Sequence, residues 1–338
     1  MKVIKNLILI LLCTWLLCGC GNQKRISGRV VTFENGLLTV QTENGKTYDF
    51  QVDSQRSTVF DLTSKGEETL LDDNCRVNVN WSKKQGTRYA EVIWVEARLQ
   101  KNVMQLSDGT VIDLWEHSGF RDYCLEDGTE LLMEETYGGP ENNSHWNELL
   151  YYEEFPEAAR QGILSYYAEM GLRYDVAALL EDAWQVYQFS EEYNTKLVGQ
   201  HIGLEAWNDK IICCQMNLTI PQERTNGYAD YFAEGAVFDR KTGEHISGYD
   251  LFTLTPEELE ACLLDQLDTD GSLDRSSIQL NLQPEQIVLQ RDGSIEFFLA
   301  DRVEVKENMR LMLQIGLQPE QAKQILQPWA VIEPRNDQ

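Results

Sequence analysis

The segment Tyr228–Leu264, YADYFAEGAVFDRKTGEHISGYDLFTLTPEELEACLL, carries the clearest succession of structural signals in the chain. Alternating residues across Tyr228–Phe238 are typical of a β-strand. The next five residues, Asp239–Gly243, have the composition of a tight turn. Thr255 and Pro256 then mark a helix start, with Thr at the N-cap and Pro at the first helical position. The segment therefore predicts a strand, a turn, a short loop and a helix in immediate succession.

Two pieces of this segment carry a family resemblance. They are the turn Phe238–Ile246, FDRKTGEHI, and the tripeptide Asp250–Phe252, DLF, together with the helix that follows. These residues resemble a family of extracytoplasmic domains found in the outer part of a lysozyme-sensing anti-sigma factor and beside some peptidoglycan deacetylase domains. The segment Tyr123–Leu132, YCLEDGTELL, resembles the opening strands of the same family. The resemblance implies an α+β domain with a ligand-sensing role outside the cytoplasm.

The chain departs from the family pattern in two places. Where the family often has a small residue followed by histidine, this chain has Asn226–Ala229. The aromatic Pro-Tyr segment of the family is replaced by Asp301–Val305. The first departure removes the basis for a histidine-dependent role. His245 lies in the resembling turn, where we expect an exposed and inert side chain.

The N-terminus has the features of a lipoprotein signal. Two lysines precede the apolar run Leu7–Leu17, which is too short to span a bilayer as a helix. The run ends in Leu17-Cys18-Gly19-Cys20, which resembles the lipobox of bacterial lipoproteins. The resemblance implies that residues 1–19 are removed, that Cys20 is lipidated on the extracytoplasmic face of the membrane, and that residues 20–25 form a tether. An ordinary cleaved signal peptide is the alternative.

The chain that remains after such cleavage is strongly acidic. Without residues 1–19 it has 27 basic and 55 acidic side chains, a formal charge of −28. Such a surface should repel nucleic acid and anionic lipid headgroups and attract a basic partner. We therefore expect no nucleic acid partner and expect a cationic protein as a ligand. The family resemblance implies lysozyme as that protein, and a cell-wall glycan is the other expected ligand. The alternative is that the acidity only confers solubility.

The cysteines favour buried thiols. An odd number in an exported chain excludes complete pairing within one molecule. Cys213 and Cys214 are neighbours in a strand-like run, so their side chains should point to opposite faces and cannot easily pair. No histidine lies near a cysteine at zinc-ligand spacing. We expect no metal and no cofactor, while a disulfide involving Cys75 or Cys124 stays open. The chain that remains after removal of residues 1–19 has, besides Cys20, five cysteines: Cys75, Cys124, Cys213, Cys214 and Cys262.

Residues 26–100 have an all-β pattern. The predicted strands are Gly28–Phe33, Leu37–Gln41, Lys46–Val52, Cys75–Trp81 and Tyr89–Val95. Asn-Gly turns join the first three strands. Five short strands favour a small barrel, and the pattern resembles the oligonucleotide/oligosaccharide-binding (OB) barrels. Trp81, Tyr89 and Trp94 either belong to the core or form a platform that stacks on carbohydrate.

Residues 103–338 are predicted to form an α+β domain with an antiparallel sheet and packed helices. The predicted helices are Glu157–Met170, Val176–Tyr187, Pro256–Leu267 and Pro319–Leu326. The main predicted strands are Lys196–Trp207, Lys210–Ile220 and Tyr228–Phe238, followed by a hairpin over Pro284–Ala300. Asp-Gly turns are predicted within Leu106–Thr110 and Leu125–Thr129.

No nucleophile elbow, phosphate-binding loop or metalloprotease motif is present in the sequence. The acidic pairs Glu153-Glu154 and Glu181-Asp182 could supply the two carboxylates of a glycoside hydrolase, although such pairs are common in an acidic chain. Asp268–Asp274 resembles part of a calcium loop, but Ser277 stands where the closing glutamate is required. A non-enzymatic, membrane-tethered binding or sensing module is therefore favoured, and a carboxylate-based envelope hydrolase is the alternative.

Overall fold

A computed structural model describes residues 24–63, 71–136, 155–267, 280–305 and 309–333. In this part of the chain there are four α-helices and sixteen strands. The helices are α1 (Glu157–Met170), α2 (Val176–Phe189), α3 (Pro256–Leu267) and α4 (Pro319–Ile325). None of the described helices is long and apolar enough to cross a bilayer.

The first nine strands precede α1, and the other seven follow α2. The early strands are β1 (Lys24–Glu34), β2 (Leu37–Gln41), β3 (Thr47–Gln51), β4 (Thr58–Asp61), β5 (Cys75–Lys84), β6 (Thr87–Gln105), β7 (Val111–His117), β8 (Phe120–Cys124) and β9 (Glu130–Glu135). The later strands are β10 (Lys196–Trp207), β11 (Ile211–Pro221), β12 (Ala229–Asp239), β13 (His245–Ile246), β14 (Ile287–Leu289), β15 (Ile295–Val305) and β16 (Met309–Leu317).

The predicted α+β class is confirmed, since the described residues combine a large sheet with four helices. The chain divides into two compact units. The first unit extends to Lys101 and includes Leu114–Ser118, and the second comprises Asn102–Asp113 with the residues from Gly119 onward. The predicted domain limits, 26–100 and 103–338, stay predictions.

Several predicted features fall outside the described residues. These are the signal peptide, Cys20, the Glu153-Glu154 pair and the Asp268–Asp274 loop. The tether predicted over residues 20–25 needs a correction at its end. Lys24 and Arg25 already belong to β1, because they pair with Trp81 and Asn80 of β5.

Five strands of the first unit pair in a cycle. β1 pairs antiparallel with both β2 and β5, β2 with β3, and β5 with β6. β3 meets β6 in parallel at Gln51 and Tyr89, so the pairings return to the strand from which they started. The inward-facing side chains, including Leu38, Phe50 and Ile93, are fully buried. The short strand β4, which was not predicted, pairs with β6.

The sheet of the second unit has the hydrogen-bonded order β8-β9-β10-β11-β12-β13. Its pairs are antiparallel except β9 with β10, which run parallel from Lys196 opposite Leu132 to Gly199 opposite Glu135. The prediction of an antiparallel sheet is wrong at this pair. Parallel neighbours need a long crossover connection. The chain provides it, because α1 and α2 lie between β9 and β10 in sequence.

Strand β11 separates two hydrophobic cores. Ile212, Cys214 and Met216 pack in the core that contains α1. Ile211 and Cys213 pack in a second core, with β14, β15, β16, α3 and α4. The prediction that Cys213 and Cys214 point to opposite faces is confirmed, because successive side chains alternate across a strand.

None of the five described cysteines forms a disulfide. Burial raises the pKa of the Cys214 thiol to about 12 and that of Cys75 to about 11. A thiol with such a pKa carries almost no thiolate at neutral pH, so it is a poor nucleophile. Cys214 therefore acts as a small apolar side chain, whereas Cys75 Sγ lies 3.3 Å from both Asp72 Oδ1 and Arg98 Nη1.

The predicted helix signals are present as side-chain hydrogen bonds. Asp175 caps α2 by accepting from the backbone N–H groups of Ala177 and Ala178. Thr255 and Glu258 form a reciprocal capping box at the start of α3. Gly171 ends α1 with a positive φ, as expected of a C-cap glycine.

The close approach of β12 to the start of β14 generates a prediction. A Cβ at Gly235 would lie 2.0 Å from the Ile287 carbonyl oxygen, whereas a Cβ at Gly316 on β16 meets nothing within 4 Å. We expect Gly235→Ala to lower the free energy of unfolding by about 2 kcal/mol or more, because backbone atoms have to move apart. The same change at Gly316 should stay within about 0.5 kcal/mol. Urea denaturation measures both, and equal effects would contradict this packing.

Candidate functional site

A buried ion pair fixes one end of the second unit. Lys196 begins β10 and is 2% exposed. Its Nζ donates to Asp182 Oδ2 on α2 and, at 3.1 Å, to the carbonyl oxygen of Gln222 after β11. Asp182 Oδ1 accepts from the backbone N–H of Arg224 at 3.0 Å. A buried ammonium is costly unless it is paired and hydrogen-bonded. The pair therefore ties α2 and β10 to the connection between β11 and β12.

A second set of bonds joins that connection to the one between α2 and β10. Asn226 Oδ1 accepts from the backbone N–H of Asn194 at 2.8 Å, and its Nδ2 donates to the Glu192 carbonyl at 2.6 Å. Gly227 adopts a φ of 83°, and a Cβ there would lie 3.0 Å from Asn194 Cβ. Glycine is favoured at this position because other residues rarely adopt such a φ. The two connections are therefore held together by specific contacts.

Three aromatic side chains are exposed on these connections and at their borders. Phe189, at the end of α2, is 89% exposed, Tyr228 is 70% exposed, and Tyr231, near the start of β12, is 59% exposed. Large aromatic side chains are usually well buried in a folded chain. Exposed aromatic side chains are a feature of protein interaction sites.

The same segments are acidic. Residues 189–194 and 222–231 contain four carboxylates and one basic residue, Arg224. We call the exposed aromatic side chains and these carboxylates together the acidic–aromatic surface: Phe189, Glu191, Glu192, Glu223, Tyr228, Asp230 and Tyr231. The surface offers apolar contact area within a negative local field. Its chemistry suits a cationic partner that also presents apolar groups.

A row of rings joins α2 to the connection that follows it. Trp184 stacks on Tyr187 with ring centroids 5.6 Å apart, and Tyr187 meets the edge of Tyr193 at 5.5 Å. Tyr193 donates its hydroxyl to the Leu131 carbonyl at 2.6 Å, and Trp184 Nε1 donates to Asp108 Oδ2 at 2.7 Å. Hydrogen-bonded, stacked rings lose little further freedom on binding, so this junction is rigid.

The buried carboxylate of Glu134 lies on the neighbouring strand β9. Tyr123 and Tyr174 donate their hydroxyls to its two oxygens, each at 2.9 Å, and Arg121 Nη1 lies 3.7 Å from Oε2. Burial and the Glu134 charge raise the pKa of both tyrosines. This carboxylate is fully engaged in joining β8, β9 and the chain before α2. We assign it a structural role.

The predicted carboxylate pair Glu181-Asp182 does not face one substrate position. Glu181 accepts from the backbone N–H of Ser107 at 2.5 Å and from its hydroxyl at 3.0 Å. Asp182 bonds Lys196 instead. Adjacent residues on a helix point about 100° apart, so the two carboxylates meet different partners. A catalytic pair at these residues, which the sequence offered only as an alternative, gains no support from this geometry.

His245 occupies β13 and is exposed, as expected. Its ring stacks on Tyr166 with centroids 4.7 Å apart and meets Phe238 at 5.7 Å. Partial burial lowers the pKa of His245, and the nearby Glu285 charge opposes this effect. The stacked ring contributes packing to α1 and β12, which supports a structural role.

Trp81, Tyr89 and Trp94, for which core positions and a carbohydrate platform were the alternatives, do not share one face. Trp81 is buried in the core of the first unit, where its ring lies 5.9 Å from that of Phe50. Tyr89 lines an open cleft of about 570 Å³ that also includes Arg56. Trp94 lies on an outer face of the strands. These three residues alternate between inner and outer positions, which their spacing alone did not reveal.

Sequence reasoning missed the acidic–aromatic surface. It placed Tyr228 and Tyr231 in a strand and ended the helix at Tyr187, before Phe189. The available signal was the presence of aromatic residues among glutamates in short connections, as in Phe189–Asn194, FSEEYN. That signal becomes specific only when the two connections are seen in contact.

Comparison with known proteins finds only limited similarity. No family model matches the chain, and no curated protein matches it. A DUF3298 family member from Bacteroides fragilis aligns with 69% of this chain and 92% of its own, at 14% identity and a TM-score of 0.33. A DUF3298 family protein from Pseudomonas aeruginosa aligns with 71% of this chain and 95% of its own, at 11% identity and a TM-score of 0.31. With similarity this low, function has to be inferred from the side chains of this chain.

The buried ion pair leads to a stability prediction. We expect Lys196→Met to lower the free energy of unfolding by about 3–5 kcal/mol, because it leaves Asp182 without its cation. Lys196→Met combined with Asp182→Leu should recover part of the loss, since no unpaired charge remains. Lys323→Met, which breaks the exposed pair with Glu333, should cost about 1 kcal/mol or less. Denaturant titration of the three variants tests this, and a Lys196→Met effect no larger than that of Lys323→Met would refute it.

Proposed function

We propose that this chain is a lipid-anchored protein of the cell envelope and that its second unit binds a cationic protein ligand without catalysing a reaction. The observation that carries the proposal is the acidic–aromatic surface. Three exposed aromatic side chains lie on or at the borders of two connections that carry four carboxylates and are joined by hydrogen bonds. The role is that of a binding or sensing module.

The composition of this surface supports a protein ligand. Tyrosine supplies a large contact area with few rotatable bonds, and it is enriched among the residues that dominate binding energy. Carboxylates around such anchors speed the approach of a basic partner and disfavour acidic ones. The ion pair between Lys196 and Asp182 fixes the backbone of the connection that carries Glu223 and Tyr228, so little ordering of that connection is required on binding.

The distribution of charge also supports a cationic ligand for the second unit. Residues 24–101 contain 12 basic and 11 acidic side chains, whereas residues 102–338 contain 15 basic and 44 acidic ones. An acidic excess that served only solubility would have no reason to be confined to one part of the chain. The attraction for a basic partner therefore originates in residues 102–338.

The proposal also includes a barrel in the first unit and a lipid anchor at Cys20. The cycle of pairings β1-β2-β3-β6-β5-β1 supports a small OB-like barrel in the first unit. The lipobox resemblance at Leu17–Cys20 supports a lipid anchor on Cys20, four residues before β1 begins at Lys24. Lysozyme is the basic protein suggested by the family resemblance at Phe238–Ile246.

Binding to lysozyme tests the main proposal. We expect residues 21–338, which contain every described residue, to bind saturably at micromolar concentration and to retain binding at about 0.15 M salt, where the Debye length is about 8 Å. Tyr228→Ala with Tyr231→Ala should weaken binding at least about tenfold, because anchor residues carry most of the affinity. Phe60→Ala, which truncates an exposed ring of the first unit, is the matched control and should leave affinity unchanged. Titration calorimetry at two salt concentrations is the measurement.

Two outcomes would count against the protein ligand. One is the absence of saturable binding, and the other is binding that disappears at moderate salt, which would indicate only nonspecific charge attraction. Equal affinities for the double tyrosine variant and the Phe60→Ala control would separate the binding from the acidic–aromatic surface.

The lipid anchor has its own test. Cys20→Ser removes the thiol that would carry the lipid, so we expect the expressed chain to lose its lipid and to leave the membrane fraction. Cys18→Ser, two residues earlier, keeps a small residue in the lipobox and should remain membrane-bound. Labelling with a radioactive fatty acid, combined with membrane fractionation, measures both. Membrane retention and labelling of Cys20→Ser would contradict the assignment.

A further inference from the structure

One outer face of the first unit differs in charge from the rest of the chain. It is formed by alternate residues of β1, β5, β6 and β4, which share one side of the strands, together with Trp115 of β7, whose ring lies against Arg29 and Arg76. Cross-strand pairing places Arg29 opposite Arg76, Asn78 opposite Trp94, and Trp94 opposite Phe60. We call it the arginine–aromatic face, and its members are Arg25, Arg29, Arg76, Phe60, Trp94 and Trp115.

Two of the arginines are held side by side. Arg29 and Arg76 are direct cross-strand partners, and both are exposed. Their guanidinium carbons lie 6.0 and 4.9 Å from the ring centroid of Trp115. Like charges directly opposite each other destabilise a strand pair. An anion between the two guanidiniums would remove this repulsion, so their arrangement favours an anionic ligand.

The third arginine belongs to a row that ends in an exposed ring. Arg25 donates from Nε to Asn78 Oδ1 at 2.5 Å, and its guanidinium carbon lies 5.9 Å from the Trp94 ring. Trp94 and Phe60 form an offset stacked pair with centroids 6.4 Å apart. Phe60 is 48% exposed. Glu96 lies 3.6 Å from Arg25, and Arg29 Nε donates to the Asp73 carbonyl oxygen at 2.9 Å. Against these two acidic residues the three arginines leave an excess of positive charge.

We infer that the arginine–aromatic face docks against anionic lipid headgroups at the membrane surface. Guanidinium groups bind phosphate oxygens in a bidentate fashion. Tryptophan rings favour the headgroup region, where one edge can be apolar and another wet. The exposed ring of Phe60 and the exposed side chain of Leu62 supply apolar groups that can enter the acyl boundary.

Chain length selects the membrane over a soluble phosphate polymer. Lys24 follows Cys20 by four residues, and an extended chain spans about 3.5 Å per residue, so the start of β1 lies within about 14 Å of Cys20. A lipid on Cys20 would therefore hold Arg25 near the headgroups. This choice of ligand rests on the lipid anchor proposed above. The acidic chain as a whole is expected to repel anionic headgroups. At this face we expect attraction instead, because salt screens the acidic side chains that lie more than about 8 Å away.

Vesicle binding by the unlipidated chain tests the inference. Residues 21–338 are mixed with vesicles of neutral phosphatidylcholine, with or without about 30% anionic phosphatidylglycerol, and the bound fraction is measured by co-sedimentation. We expect the partition coefficient to be at least about tenfold higher with the anionic vesicles and to fall as salt is raised.

Matched charge variants locate the binding face. Replacing Arg25, Arg29 and Arg76 together by glutamine should lower binding to anionic vesicles by about a hundredfold, since each basic residue near the surface contributes about fivefold. Replacing Lys46, Lys83 and Lys101 by glutamine removes the same charge from exposed positions outside the face and should change binding by about twofold or less. Phe60→Ser should weaken binding while the salt dependence stays the same. Circular dichroism and thermal unfolding check that each variant is folded.

Three results would overturn the inference. The first is equal binding to neutral and anionic vesicles, and the second is equal loss in the arginine and lysine variants. The third is tighter binding to a soluble polyphosphate or to single-stranded DNA than to anionic vesicles, which would identify a polymer site. Any of these results would leave the proposed function standing. The tested chain lacks Cys20, and the acidic–aromatic surface belongs to the other unit.

Discussion

The second unit depends on the buried ion pair between Lys196 and Asp182. A lysine that begins a strand at 2% exposure is stable only because its ammonium has both a carboxylate and a carbonyl oxygen as acceptors. The same contacts position α2 against the β11–β12 connection and bring Phe189, Tyr228 and Tyr231 to exposed positions. Replacing such a pair with apolar groups can preserve stability, so its value lies in selecting one arrangement of these segments.

Strand β11, which leads into the β11–β12 connection, lies between two hydrophobic cores. Its side chains alternate between the core under α1 and the core shared with β14, β15, β16, α3 and α4, so both faces of the strand are buried. A strand buried on both faces is apolar along most of its length, as Ile211–Cys214 shows. The connection after it has no such constraint, and it carries the polar and aromatic residues of the acidic–aromatic surface.

Each of the two surfaces combines aromatic rings with charges of one predominant sign. In the first unit, arginines stack on tryptophan rings, which keeps the guanidinium groups oriented while their remaining donors stay available. In the second unit, carboxylates surround exposed tyrosines, and hydrogen bonds from Asn226 restrain the backbone beneath them. The net charge of −26 conceals this division, because it sums the nearly balanced residues 24–101 and the strongly acidic residues 102–338.

The sequence by itself determined the features that depend on neighbours along the chain. The limits of α1 and α3, the cap at Asp175, the hairpin turns and the opposite orientations of Cys213 and Cys214 follow from local propensity and strand alternation. Only the tertiary structure decided the parallel pairing of β9 with β10, the addition of β4, the burial of Trp81 and the contact of Lys196 with Asp182. Each of these joins residues that are far apart in sequence or depends on which strand is adjacent. Local patterns carry no information about such partners, because packing and desolvation are set by the assembled chain.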